Sequence, residues 1–189
     1  MSSEKQLILD FLNHYLPLLT LIAFIILVLI YLHHFHFRLN KKESKLLSKI
    51  SDFALPLGFF ATLFAMTMSL IYSDYLNQLA CGLCWFQRIF IYSQVVIFTV
   101  AYIKNDLKIF AYTFWLSVVG GAIAIYHEYL QLGYSELIPC PAVSAVVDCA
   151  KPTFIHYGFV TFPFMSITLF MFLIFYKMLN YSLGFIFFP

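Results

Sequence analysis

The sequence predicts an all-α membrane protein, a four-helix transmembrane bundle that one additional N-terminal transmembrane helix precedes. The first observation is composition: the 189 residues are 62% hydrophobic and 11% charged, whereas soluble domains carry about 25% charged residues. The second is the presence of apolar runs near the roughly 17–25 residues that a helix needs to cross a bilayer. We therefore divide the chain into an N-terminal helix with its basic loop, residues 1–51, and a four-helix domain, residues 52–189.

The first apolar run extends from Leu16 to Leu32. It does not resemble a cleaved signal peptide, because Glu4 accompanies Lys5 ahead of it and no small-residue cleavage site follows. A basic cluster follows instead, so the positive-inside rule predicts that segment 33–51 is cytoplasmic and that the amino terminus points outward. The cluster contains Arg38, Lys41, Lys42, Lys45 and Lys49.

The remaining runs are Phe53 to Tyr72, Trp85 to Ile103, Ile109 to about Tyr129 and Tyr157 to about Leu179. Lys104 and Lys108 make the short loop between the third and fourth runs basic, which predicts an inner position for that loop. Gly120 and Gly121 give the fourth run a small-residue face suited to close helix packing. The net charge of +2 gives no indication of a nucleic-acid partner.

All four cysteines lie in the two loops that this topology places outside the cytoplasm. They are Cys81, Cys84, Cys140 and Cys149. Disulfides persist outside the cytoplasm and are rare within it, and free cysteine is commonly buried as a small hydrophobe. The pattern therefore suggests that the cysteines are used in pairs.

The first pair has the spacing of a redox-active dithiol. If the following helix starts near Cys84, its dipole favours a thiolate there. Arg88 lies one turn further on the same face and keeps its charge. A structural disulfide or half of a metal site has the same spacing as Cys81 and Cys84, so these residues alone leave all three interpretations open.

The second pair differs in its surroundings. Pro139 and Pro141 flank Cys140 and hold its backbone extended. An extended, exposed cysteine is accessible to the thiol of another protein, and thiol–disulfide exchange proceeds through such mixed disulfides. Cys140 therefore suits contact with a partner, whereas Cys84 suits contact with an acceptor in the membrane.

Several motifs occur together in the order of a known family. The chain resembles the DsbB/BdbC family of membrane disulfide-bond-forming thiol:quinone oxidoreductases over roughly residues 52–180. The motifs are Cys81-Gly-Leu-Cys-Trp-Phe-Gln-Arg88, Tyr126-His-Glu-Tyr-Leu-Gln131, Pro139-Cys140, Cys149 and Tyr157-Gly-Phe-Val-Thr-Phe-Pro-Phe-Met165. The additional first helix and the short Cys140–Cys149 spacing depart from the better-known DsbB branch.

The resemblance implies a four-helix enzyme in the bacterial inner membrane that reoxidises a DsbA-like thioredoxin-fold protein. Electrons would pass to a membrane quinone, either ubiquinone or menaquinone. Cys140 would be attacked by the partner's thiolate, with Cys149 as its disulfide mate. Cys81 would exchange with this second pair, and Cys84 would pass electrons to the quinone.

Four further residues are predicted to bind the quinone. Arg88 would bind or polarise it, and a cation there would stabilise negative charge on a quinone oxygen. His127 is predicted at the depth of Cys84, where it would bond a quinone carbonyl or deliver protons, with an interface anchor as the alternative. Trp85 is interpreted first as part of an aromatic belt and second as a packing surface for the ring. Gln87 stands where some members have an acidic residue.

Three alternatives stay open at the level of sequence. A quinone reductase of the vitamin K epoxide reductase type shares the relay of two cysteine pairs. A non-catalytic membrane protein could use its four cysteines as a structural zinc site, although such sites usually show two closely spaced pairs. Plain structural disulfides in a transporter or scaffold are the third alternative. The predicted spans lack mid-span charges, which argues against transport.

Overall fold

The computed structural model describes residues 3–39, 53–104, 109–140 and 148–182, which form five α-helices. Within these ranges the only β-pairing is an isolated bridge between His156 and Val160. The helices are α1 (Ser3–Leu39), α2 (Ala54–Leu70), α3 (Gly82–Lys104), α4 (Phe110–Gln131) and α5 (Phe162–Ser182). The prediction of an all-α fold is confirmed.

The lengths and compositions of the helices fit a multi-pass membrane protein. Four segments are long and apolar enough to span a bilayer, and α5 contributes a shorter apolar stretch, Phe162–Met178. The spanning segments are Ser3–His36, Leu55–Tyr75, Gly82–Lys104 and Phe110–Gln131. The second of them includes one π-helical turn, Ile71–Tyr75, which continues α2.

Helices α2 to α5 close into a ring in which each packs against the next and α5 returns to α2. Aromatic side chains fill the end of this bundle furthest from the first cysteine pair, with Phe98 and Phe110 fully buried and edge to face. Gly58 lets α2 approach closely, because a Cβ there would lie 2.7 Å from a ring carbon of Phe98. The bundle therefore holds its helices together by close packing around aromatic rings.

Helix α1 lies outside this ring and packs mainly on α5. In the carboxy-terminal half of α1, Leu27 packs against Phe175. Its amino-terminal half packs against the end of α2, where Tyr72 Oη donates a hydrogen bond to Asn13 Oδ1 at 2.9 Å. Lys5 Nζ also donates to the backbone oxygen of Tyr75 at 2.6 Å. The amino end of α1 therefore lies at the same end of the bundle as the first cysteine pair.

The last helix begins later than the apolar run predicts. Residues 156–160 form a tight turn closed by the bridge between His156 and Val160, and Tyr157 and Gly158 both have positive φ. Pro163 stands in the first turn of α5, where its missing N–H costs no helical hydrogen bond. The basic cluster at residues 41–49 and the loop at 105–108 lie outside the described residues, as does the side chain of Arg38.

Candidate redox site

Cys81 occupies the capping position of α3. The backbone N–H of Trp85 donates to its carbonyl oxygen at 3.2 Å, and its Sγ lies 3.4 Å from the backbone nitrogen of Cys84. The two sulfurs are unbonded and 3.1 Å apart. A side chain at this position accepts a hydrogen bond from a backbone N–H of the first helical turn that would otherwise be unpaired. The helix start therefore favours negative charge on Cys81. The sequence alone predicts this stabilisation of a thiolate at Cys84.

A buried histidine from α4 completes the surroundings of Cys81. His127 is fully buried, and its Nε2 lies 3.5 Å from Cys81 Sγ. Its Nδ1 lies 2.9 Å from Gln87 Nε2, and the side-chain amide of Gln131 lies 3.1 Å from its Nε2. The amide nitrogen of Gln87 donates to Nδ1, which assigns Nε2 as the protonated atom of the neutral ring, and the Gln131 amide is then assigned with its oxygen facing Nε2. The imidazole can therefore donate towards Cys81.

These contacts lower the pKa of Cys81 well below that of an ordinary thiol. The hydrogen bond from Cys84 is the largest cause, and burial opposes it. His127 lowers the pKa further through its hydrogen bond, as does the backbone N–H of Cys84. In the reduced pair, Cys81 is therefore the thiolate and Cys84 the thiol that donates to it.

The second pair forms the disulfide that the resemblance implies, Cys140–Cys149, with Cα atoms 6.0 Å apart. Cys149 is fully buried and belongs to the same cluster as Cys81 and Leu130, and Cys140 packs on that cluster. The loop before Cys140 is tied to α4, since Tyr126 Oη donates to the oxygen of Ile138 at 2.5 Å and accepts from its N–H at 2.8 Å. The fold therefore brings both cysteine pairs into one cluster.

A cavity of about 450 Å³ opens beside the first pair, and His127 is not among its lining residues. Cys84 and Arg88 line it, and Cys81 does not. Arg88 donates from Nη2 to the backbone oxygen of Ser69 at 3.1 Å, and its guanidinium lies 5.1 Å from the ring of Trp85. A guanidinium carries five N–H donors, and the bond to Ser69 uses one of them. This end of the cavity therefore offers a fixed cation beside a thiol.

The residues predicted to bind a cofactor take different positions in the structure. Arg88 and Gln87 line the cavity. Gln87 also contacts His127, which lies against Cys81 and does not line the cavity. Trp85 is 46% exposed, supports Arg88 and is not among the cavity-lining residues.

Sequence reasoning missed a buried carboxyl group near the site. Glu128 stands near a helix end, where a solvated carboxylate is expected, but it is buried and accepts a hydrogen bond from Thr161 Oγ1. Its second oxygen, Oε1, is buried without a hydrogen-bond partner among the described residues. An acidic residue inside an apolar run is the signal that could have identified it, because such residues are costly in a membrane.

The zinc alternative requires four free thiolates, and the disulfide removes two of them. What the structure does bring together is Cys81, Cys84 and His127, whose ligand atoms lie within 4.8 Å of one another. Three such ligands match the count of a catalytic zinc site. The geometry therefore fits a dithiol that contacts a histidine. It also fits a metal site formed by the same three residues.

Together, the fold and the site define a multi-pass membrane protein with two cysteine pairs, one oxidised and one reduced. The family model described as disulfide bond formation protein DsbB matches residues 51–179. The chain therefore belongs to the DsbB family, and it is an oxidoreductase with a role in disulfide bond formation.

Curated relatives agree with this assignment. The SPbeta prophage-derived disulfide bond formation protein B of Bacillus subtilis (strain 168) is 38% identical over 108 residues, 57% of this chain and 72% of the relative. Disulfide bond formation protein C of the same organism is 34% identical over 119 residues, 62% of this chain and 84% of the relative. The probable disulfide formation protein C of Halalkalibacterium halodurans is 36% identical over 117 residues, 61% of this chain and 85% of the relative. No solved structure matches the chain.

Proposed function

We propose that this protein reoxidises a thioredoxin-like, DsbA-type thiol oxidase outside the cytoplasm and passes the electrons to a membrane quinone. The observation that carries the proposal is the division between the two reduced cysteines. Cys84 lines the cavity with Arg88 and packs on the edge of the cluster in which Cys81 and Cys149 are buried, whereas Cys81 does not line the cavity. In this proposal Cys84 meets the membrane acceptor and Cys81 exchanges with the second pair.

Electrons enter at the Cys140–Cys149 disulfide. Cys149 is fully buried and Cys140 is partly exposed, so a partner thiolate attacks Cys140. That attack breaks the bond to Cys149 and forms a mixed disulfide. The partner's second thiol then closes the partner's own disulfide and leaves Cys140 and Cys149 reduced.

Electrons next move between the pairs inside the protein. Starting from an oxidised Cys81–Cys84 pair, a thiolate of the second pair attacks Cys81, and Cys84 leaves. Closure of Cys140–Cys149 then releases Cys81 as a thiolate. The sulfur connectivity of the structure, with Cys140 bonded to Cys149 and Cys81 and Cys84 unbonded, matches the product of this proposed step. The hydrogen bond from Cys84 and the contact with His127 support it, because they stabilise Cys81 as a leaving thiolate.

Electrons leave at Cys84. A bound quinone would supply the two-electron acceptor, taking two protons to become a quinol. Arg88 would bind the carbonyl end, since its guanidinium is fixed at the cavity wall by Ser69. Closing the Cys81–Cys84 bond releases two electrons and the proton of Cys84, and one further proton comes from solution. The cavity fits such a molecule because its remaining walls are mostly apolar.

The proposal includes the organisation and location of the protein. Residues 52–189 would form the catalytic four-helix domain, and residues 1–51 an added helix with a basic cytoplasmic loop. Both cysteine loops would face outward from a bacterial cell membrane, because the lysine-rich loops at 38–49 and 104–108 are expected inside.

The test is anaerobic quinone reduction by purified protein with a reduced thioredoxin-fold dithiol donor, followed by ultraviolet absorbance. We expect loss of oxidised quinone, and Cys84→Ser should abolish it. Cys84→Ser protein should still oxidise one equivalent of donor, because the Cys140–Cys149 disulfide remains. Absence of turnover with both ubiquinone and menaquinone would contradict the proposal.

A metal-binding function is the second candidate, favoured by the grouping of Cys81, Cys84 and His127. Elemental analysis of the purified protein distinguishes the two functions. Stoichiometric zinc together with no quinone reduction would support the metal site. If metal-free protein reduces quinone, the metal-binding function is excluded. The same result would show that the protein is not a structural scaffold.

A further inference from the structure

Helix α1 forms one wall of the cavity that contains Cys84 and Arg88. Its lining residues recur at the spacing of a single helix face, and they are Leu16, Leu19, Thr20, Ala23 and Leu27. The region matched by the family model begins at residue 51, so this wall comes from outside it. The cavity of this protein therefore has a wall that the family match does not include.

The cavity is polar at one end and apolar along its length. Cys84, Arg88 and Gln78 stand at the end near the start of α3, while Phe172 lines it ten residues into α5. The α1 residues from Leu16 to Leu27 extend over about 16 Å of helix. A ligand that fills this space has a polar head against Arg88 and an apolar chain along α1.

Contacts on both sides of the lining residues fix α1 in place. Towards its amino end, Asn13 accepts the hydrogen bond from Tyr72, and Lys5 bonds the backbone of Tyr75. Further along, beyond Leu27, the ring of Tyr31 packs edge to face on Phe175. The wall is therefore a packed element of the structure, and its side chains can discriminate between ligands of different shape.

We propose that α1 is a specificity element that binds the apolar tail of a prenylated quinone whose ring lies at Cys84 and Arg88. The proposal rests on the proposed function for the identity of the acceptor. It assigns to the added helix the selection of long-tailed over tailless quinones, because tail contacts along α1 add apolar burial that a bare ring cannot obtain.

The experiment compares two positions on α1 that carry the same residue at nearly the same exposure. Leu19 lines the cavity and is 58% exposed, and Leu29 is 59% exposed and does not line it. Dissociation constants are measured for purified full-length wild type, Leu19→Trp and Leu29→Trp, with two quinones of the same ring, one carrying a prenyl tail and one a methyl group. Ala23→Phe is a second cavity-side variant in case Leu19→Trp does not fold.

We expect Leu19→Trp and Ala23→Phe to raise the dissociation constant of the prenylated quinone at least tenfold and to leave that of the methyl quinone within twofold. Leu29→Trp should change neither. If the cavity-side variants bind the prenylated quinone as wild type does, α1 faces membrane lipid only, and the inference fails while the proposed function stands. If wild type binds neither quinone, the proposed function itself fails, and the assignment to α1 fails with it.

Discussion

Cys81 and Cys84 are separated by two residues but stand in different chemical surroundings. Cys81 is buried beside His127 and caps α3, whereas Cys84 lines the cavity with Arg88. A thiolate is stabilised by hydrogen bonds and by nearby positive charge. These neighbours suit Cys81 to the proposed exchange inside the protein and Cys84 to the proposed transfer to a membrane acceptor.

Replacing His127 with phenylalanine should raise the pKa of Cys81. The imidazole lowers this pKa in wild type, so the thiolate persists as the pH falls below the range where an ordinary thiol protonates. Without it, the thiolate should be lost at a higher pH. The measurement is thiolate absorbance near 240 nm against pH, in protein whose second pair is replaced by serine.

Gln87→Leu is the matched control, because it removes the contact with His127 Nδ1 and leaves the imidazole present. We expect a smaller shift in the same direction. Superimposable titration curves for wild type and His127→Phe would show that the imidazole does not stabilise Cys81.

Replacing Arg88 with lysine should raise the KM for quinone about tenfold or more. The change keeps the positive charge but loses the planar fork that bonds Ser69 and presents further donors to the cavity. Hydrogen bonds to charged groups contribute about 1.5–3 kcal/mol, and about 1.4 kcal/mol is tenfold. The measurement is steady-state quinone reduction, and an unchanged KM with lower kcat would place Arg88 outside the binding site.

Close helix–helix packing stabilises the centre of the bundle, together with a buried hydrogen bond from Ser117 Oγ to Gln94 Oε1 at 3.2 Å. Gly120 and Gly121 are adjacent on α4, but only Gly120 faces the ring of Phe170 at close range. A Cβ at Gly120 would lie 2.5 Å from Cζ of Phe170 and 3.0 Å from Cβ of Phe90, whereas one at Gly121 would lie 3.5 Å from the nearest atom. The structure therefore has room for an added methyl group at Gly121 but not at Gly120.

Gly120→Ala should destabilise the protein by about 1–3 kcal/mol, because Phe170 is buried and cannot move without disturbing the core. Gly121→Ala should be close to neutral, since its added methyl group meets ordinary van der Waals distances. The measurement is thermal unfolding of both variants in the same detergent. Equal melting temperatures for the two variants would contradict this description of the α4–α5 contact.

The fold brings the two cysteine pairs into one cluster, so the proposed relay depends on the whole molecule. Removing the second pair with Cys140→Ser and Cys149→Ser should block turnover with a protein donor. Quinone reduction by a small dithiol should persist at a substantial fraction of the wild-type rate, because Cys81 and Cys84 remain beside the cavity. The measurement is quinone reduction with each donor.

In that experiment, turnover of the variant with the protein donor at the wild-type rate would show that the partner reduces Cys81–Cys84 directly. Wild-type protein assayed with the small dithiol is the control, since it contains both pairs. A relay through two pairs predicts a loss confined to the protein donor.

The number and type of the helices follow from the sequence alone, and its motifs taken together resemble those of a redox family. Apolar runs, a cysteine pair at a helix start and prolines beside Cys140 are local features, and bilayer thickness and helix capping act on local sequence. The tertiary structure decided which groups meet. His127 lies 46 residues from Cys81, and α1 reaches the cavity only through its packing on α5 and the end of α2. These contacts depend on how each helix is rotated against its neighbours, and hydropathy patterns do not specify that rotation.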